Sequence, residues 1–115
     1  MGGNDFSVPE DVKTLSKDDK NVDFNIEYCG AWGGLPEAKY AEKLLKEAYP
    51  KASYKLHTPG VTSNLVITAD GKKFHEKRDD GSLSSKNALS FVQKAQRAIA
   101  AWSMRFKFIK GQTGH

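Results

Sequence analysis

The chain has 115 residues, of which 38% are hydrophobic and 28% charged, and its formal net charge is +4. This length and composition are typical of one small globular domain, and no apolar run approaches the roughly 20 residues of a membrane span. A single cysteine excludes an intramolecular disulfide, so an oxidising compartment is not required. We therefore expect a cytoplasmic monomer that does not enter a membrane.

Residues 1–20 are rich in Asp, Lys, Ser and Gly, and their few apolar residues show no sustained period. This composition predicts a flexible leader, followed by a domain over residues 21–104 and a basic tail over residues 105–115. The tail interleaves basic and aromatic residues, a pattern that is compatible with binding to an anionic surface or to RNA. Because acidic and basic residues are mixed along most of the chain, we expect a solvated tail and no nucleic-acid partner.

The first regular element is predicted in the segment NVDFNIEY, residues 21–28, which alternates apolar and polar residues as a strand does. A glycine-rich loop, CGAWGG, follows. Residues 35–50 then repeat apolar residues at spacings of three and four, which predicts a helix. Pro36 suits its first turn, Glu37 favours the positive end of its dipole, and Pro50 ends it.

The second half of the domain is predicted to contain two further strands, a tight hairpin and a last helix. Residues 52–58 alternate, and residues 65–74 alternate on both sides of Asp70-Gly71, a pair that tolerates the positive φ angles of a type I′ turn. We expect the run KFHEKRDD to be a solvated face of the hairpin, and DDGS predicts another turn. A final helix is expected to begin near Ser84 or Ser85, either of which can cap it.

The element order is therefore strand, helix, strand, strand, strand, helix. A strand–helix–strand unit favours parallel pairing of the first two strands, whereas the hairpin is antiparallel, so the sheet is mixed. Two helices against one small sheet predict an α/β sandwich of two layers.

The loop after the first strand holds Cys29, the only cysteine in the chain. Unpaired backbone N–H groups and the helix dipole at such a bend stabilise a thiolate, and the neighbouring glycines leave room for a bulky disulfide. Thiol exchange also needs a second nucleophile at the end of a C-x-x-C pattern, but position 32 carries tryptophan. We expect the sulfur of Cys29 to lie in open solvent; the alternative is a small buried hydrophobe.

The motif Y-C-G-A-x-G at this strand-to-helix bend resembles selenoprotein W. The likeness continues from His57 through TPGVTSNLVITADGKKFHEKRDDGS, which is similar to that family's G-T-P loop, third strand, hairpin return and Asp-Gly turn. It extends over residues 23–101. The resemblance implies a thioredoxin-like fold with a four-stranded mixed sheet, a cytoplasmic location, and an antioxidant, glutathione-linked redox role through a C-x-x-U motif.

In that family the fourth motif position is selenocysteine, or cysteine in some members. The codon for selenocysteine, UGA, differs by one base from the tryptophan codon UGG. We therefore expect that Trp32 replaces a selenocysteine and that the chain as written is inactive, whereas a native selenocysteine would make it an oxidoreductase. The selenol would attack first and Cys29 would resolve the product.

The resemblance also implies the remaining residues and partners. No metal is expected, and no cofactor besides the selenium of selenocysteine; the redox partner is glutathione or thioredoxin, and 14-3-3 proteins are potential binding partners. A redox-sensitive interaction module that uses an exposed Cys29–Trp32 loop is the alternative function. Ser63-Asn64 departs from the family pattern, in which a T-G pair followed by an aromatic residue is expected. The expected site consists of catalytic Cys29 and Trp32, with Gly30, Ala31, Gly33 and Ser63 contacting substrate or partner.

Overall fold

The structure, a computed structural model, describes residues 5–30, 34–58 and 64–113, with side chains described as far as residue 101. Its elements are, in chain order, α1 (Glu10–Lys13), β1 (Asp23–Glu27), α2 (Gly34–Ala48), β2 (Ser53–His57), β3 (Val66–Ala69), β4 (Lys72–Glu76), α3 (Lys77–Asp80) and α4 (Ala88–Thr113).

The strands form one sheet in the order β2-β1-β3-β4. β1 pairs with β2 in parallel, and β3 pairs antiparallel with both β1 and β4. The predicted α/β fold with a mixed four-stranded sheet is confirmed. The two short helices α1 and α3 are additions to the predicted order.

The sheet and the two long helices form two layers. α2 contacts β1 and β2, α4 contacts β4, and the two helices contact each other. Phe24 and Ile26 of β1 are buried in this layer, as their alternation predicts, whereas Asn25 and Glu27 on the other face are half-buried. Full burial of each such apolar side chain contributes roughly 1.5–3 kcal/mol. The largest fully buried side chains are Phe24, Ile26, Leu44, Leu45, Ile67, Leu83, Val12 and Val92.

The hairpin turn between β3 and β4 forms where the sequence predicts it. Asp70 and Gly71 have φ angles of 51° and 86°, the left-handed values that a type I′ turn requires. The Asp70 carboxylate also accepts the backbone N–H of Asp23 at 3.0 Å. This bond ties the hairpin to the first residue of the central strand β1.

A bulge in β4 changes the direction of one side chain. Ile67 pairs with His75 but Thr68 pairs with Lys73, so Phe74 is the extra residue. Both Phe74 and His75 consequently contact Phe91 of α4. The interpretation of KFHEKRDD as a solvated hairpin face is wrong for His75, which is buried.

Residues 5–20 pack on the domain, in contrast to the expected flexible leader. Val12 of α1 is fully buried, and Phe6, Val8 and Leu15 pack against the core. The Tyr40 hydroxyl donates to the carbonyl of Ser7 at 2.7 Å. A helix of only four residues is too short to show an apolar period, so the sequence pattern does not reveal it.

The helical boundaries near the end of the domain also differ from expectation. Asp79 and Asp80 of the expected DDGS turn belong instead to α3, which Gly81 ends with a φ angle of 88°. α4 begins at Ala88, three or four residues after the expected caps; Ser84 instead bonds Asn87 within the preceding turn. The backbone of α4 continues to Thr113, so the expected boundary between residues 104 and 105 does not coincide with a helix end. Among the described residues, the helices are too short or too polar to span a membrane.

Candidate functional site

Cys29 lies at the bend between β1 and α2, where the sequence predicts it. The backbone N–H of Gly34 donates to the carbonyl of Cys29 at 3.1 Å, which closes the ends of the loop between them. A Cβ atom added to Gly34 would lie 2.5 Å from that carbonyl oxygen, far inside van der Waals contact. Position 34 therefore needs glycine because the two backbone segments approach so closely.

The loop is also attached to the end of β2. Tyr28 donates its backbone N–H to the carbonyl of His57 at 3.1 Å. A Cβ atom on Gly30 would lie 3.1 Å from the Cγ2 atom of Thr58, so little space separates them. These contacts position the Cys29 backbone at the carboxyl ends of the parallel strands β1 and β2.

The expectation that the Cys29 sulfur lies in open solvent is wrong, because the residue is only 4% exposed. It is nevertheless outside the hydrophobic core cluster. Cys29 instead lines a small, partly open cavity of about 100 Å³. Charged and polar side chains in the cavity wall distinguish this thiol from a cysteine that only fills apolar space. The other lining residues are Tyr28, Gly34, Glu37, Asn64, Leu65 and Lys77.

A buried carboxylate forms part of the cavity wall. Glu37, in the first turn of α2, is only 5% exposed. One of its oxygens accepts the backbone N–H of Leu83 at 2.9 Å, and the other lies 3.2 Å from the Lys77 ammonium. A buried charge needs such partners to offset the loss of water. Glu37 therefore connects α2 to α3 and to the segment before α4.

Asn64 holds another part of the cavity wall in place. Its amide donates to the Glu76 carboxylate at 2.9 Å, and its carbonyl oxygen accepts the backbone N–H of Arg78 at 3.0 Å. Hydrogen bonds from Lys73 and Asn64 stabilise the ionised form and lower the pKa of Glu76. Asn64 thus fixes the chain that leads into β3 against the end of β4.

The expected site is described only in part. Cys29 and Gly30 are adjacent, and Gly30 lies close to Thr58, whereas Ala31, Trp32, Gly33 and Ser63 lie outside the described residues. Among the described residues, no group of three or more His, Cys, Asp or Glu side chains is placed to hold a metal ion.

Sequence reasoning misses Glu37 and Lys77 as neighbours of the cysteine. The sequence assigns Glu37 only to the helix dipole and Lys77 only to a solvated face. The two residues are far apart in the chain and no motif links them, so only the tertiary fold brings them together. The one hint in the local sequence is Asn64, which departs from the expected family pattern and lines the cavity.

Comparison with known proteins supports the fold. No protein-family model matches the chain, and no curated protein matches it. The chain is similar to the crystal structure of a selenoprotein W-related protein from Vibrio cholerae, with a TM-score of 0.56 and 16% sequence identity. The match covers 70% of this chain and 99% of the Vibrio cholerae protein. At this identity the likeness establishes a shared thioredoxin-like fold.

Proposed function

We propose that the chain is a thiol/selenol redox protein of the selenoprotein W type, linked to glutathione and acting through Cys29 and position 32. The observation that carries the proposal is the place of Cys29: a strand-to-helix bend, beside a cavity with charged walls, in a fold shared with a selenoprotein W-related protein. Backbone N–H groups at such a bend favour a thiolate over a thiol.

The burial of Cys29 favours a division of roles between the two motif positions. The residue that attacks a substrate disulfide must be reached by a bulky molecule, whereas the resolving residue needs to reach only its neighbour in the motif. At 4% exposure, Cys29 suits the resolving role. Position 32 would then carry the attacking group, a selenol in place of Trp32.

The proposed reaction is an exchange that conserves its electrons. The selenolate attacks one sulfur of a disulfide, a selenium–sulfur bond forms, and one thiolate leaves. The Cys29 thiolate then attacks the selenium, which closes an internal selenenylsulfide and releases the second thiolate. Two glutathione thiols reduce that bond and leave as glutathione disulfide. A tryptophan offers neither the attacking nucleophile nor a bond to Cys29, so we expect no turnover from the Trp32 chain.

Turnover of Trp32→Cys tests this proposal. The assay follows the reduction of a small disulfide by glutathione, catalysed by the Trp32 chain, by Trp32→Cys and by Trp32→Ser as a matched control. We expect turnover from Trp32→Cys alone, because only that variant restores a second sulfur, and its loss when Cys29→Ser is added. Equal rates for the Trp32 chain and the Trp32→Cys variant would contradict the proposed function.

A further inference from the structure

Two opposite charges share the small cavity with Cys29. Glu37 and Lys77 both line it, and the Lys77 ammonium lies 3.2 Å from the Glu37 carboxylate. A cavity of about 100 Å³ has room for only a few water molecules. Charges that face such a volume act on the thiol with less screening than charges in bulk water.

The two members of the pair are held differently. Glu37 is buried and has two partners, the backbone N–H of Leu83 and the Lys77 ammonium. The Lys77 side chain is 38% exposed and reaches the cavity from the first residue of α3. Of the remaining cavity residues, Tyr28 is the titratable one, and the Glu76 carboxylate approaches the cavity through Asn64. The pair therefore supplies the two formal charges that line the cavity among the described residues.

We infer that the Glu37–Lys77 pair sets the protonation balance of the Cys29 thiol, with the ammonium favouring the thiolate and the carboxylate favouring the thiol. The inference rests on the proposed function, in which Cys29 is the resolving nucleophile. An attacking thiol is most effective when it is balanced between its two forms at ambient pH. Paired opposite charges keep the thiol and the thiolate of Cys29 in balance, whereas either charge alone would shift the equilibrium towards one of the two forms. Glu37 and Lys77 are positioning residues, since they act through Cys29.

Opposite effects of the two neutralising substitutions test the inference. The thiolate of Cys29 is titrated by its ultraviolet absorbance in the full Trp32 chain, with Cys29→Ser as the blank that removes the tyrosine signal. Because Cys29 is the only cysteine, the difference reports this one thiol. We expect the titration midpoint to rise by about one pH unit in Lys77→Gln and to fall by about one unit in Glu37→Gln.

Controls separate this effect from loss of structure. Lys46 and Glu42 form an ion pair on α2 with a similar separation, 3.1 Å, and neither residue lines the cavity. Lys46→Gln and Glu42→Gln should therefore keep the original titration midpoint of Cys29. Lys77→Arg keeps the positive charge in the cavity wall and should also keep the original midpoint. If Glu37→Gln fails to fold, the contrast between Lys77→Gln and Lys77→Arg still decides. Midpoints that move in the same direction, or that match the controls, would overturn the inference.

The titration also separates this inference from the proposed function, because it requires no turnover. Opposite shifts together with an inactive Trp32→Cys protein would support the electrostatic role and reject the redox function. Unchanged midpoints together with an active Trp32→Cys protein would support the redox function and reject the electrostatic role of the pair.

Discussion

At the scale of single residues, His75 is a buried titratable group whose surroundings disfavour its charged form. It is 3% exposed, and its ring packs edge-on against Phe91 with centroids 5.0 Å apart. The Lys94 ammonium lies 3.2 Å from Nδ1 and can only donate, so Nε2 carries the proton. Among the described residues, Nε2 is a buried atom without a hydrogen-bond partner. Burial, assisted by Lys94 and opposed by Asp80, lowers the pKa of His75 to about 4.

This lowered pKa predicts a loss of stability in mild acid. The unfolded chain binds a proton on His75 near pH 6.5, whereas the folded chain binds it only near pH 4. The contribution of neutral His75 to the free energy of unfolding is therefore fully present above pH 6.5. It is lost as the pH falls towards 4, by at most about 1.4 kcal/mol per pH unit.

Urea unfolding between pH 7 and pH 4 measures this loss. His75→Gln should flatten the pH dependence of the unfolding free energy in that window, and His57→Gln, a substitution of a half-exposed histidine, is the control. A slope that is the same in both variants would show that His75 is not the group responsible.

At the scale of secondary-structure elements, the short helix α1 packs against both long helices, α2 and α4. The segment before it is attached at a second point, where Ser85 donates its backbone N–H to the carbonyl of Asp5 and its hydroxyl to the Asp5 carboxylate, both at 2.8 Å. A single helical turn has little stability of its own. α1 is therefore stabilised by packing, chiefly through the burial of Val12.

Substitution of Val12 tests whether α1 belongs to the folded domain. Val12→Ala should lower the unfolding free energy by about 2 kcal/mol, because it removes two methyl groups from a filled site. The neighbouring exposed Lys13→Ala should change it by less than about 0.5 kcal/mol. Urea midpoints measure both values. Equal effects of the two substitutions would mean that residues 5–20 behave as the flexible leader that the sequence predicts.

At the scale of the whole molecule, the features that the sequence predicts are those that depend on local chemistry. The alternation in β1 and the Asp70-Gly71 turn each need only a few adjacent residues, and both are confirmed. The neighbours of Cys29 depend on contacts between distant segments. No local rule pairs Glu37 with Lys77, and no period reveals that the bulge in β4 turns His75 inwards. For the same reason the bend at Cys29 is predictable from the sequence and the burial of its sulfur is not.

The central claim is the proposed function, in which Cys29 and the residue at position 32 form an internal bond during the reaction. The measurement that tests it most directly is the intact mass of Trp32→Cys after oxidation with glutathione disulfide, followed by peptide mapping. An internal bond between the sulfurs at positions 29 and 32, in a folded monomer whose mass is lower by two hydrogens, is the predicted result. A protein that carries glutathione on both cysteines, or one linked only between chains, would contradict the claim.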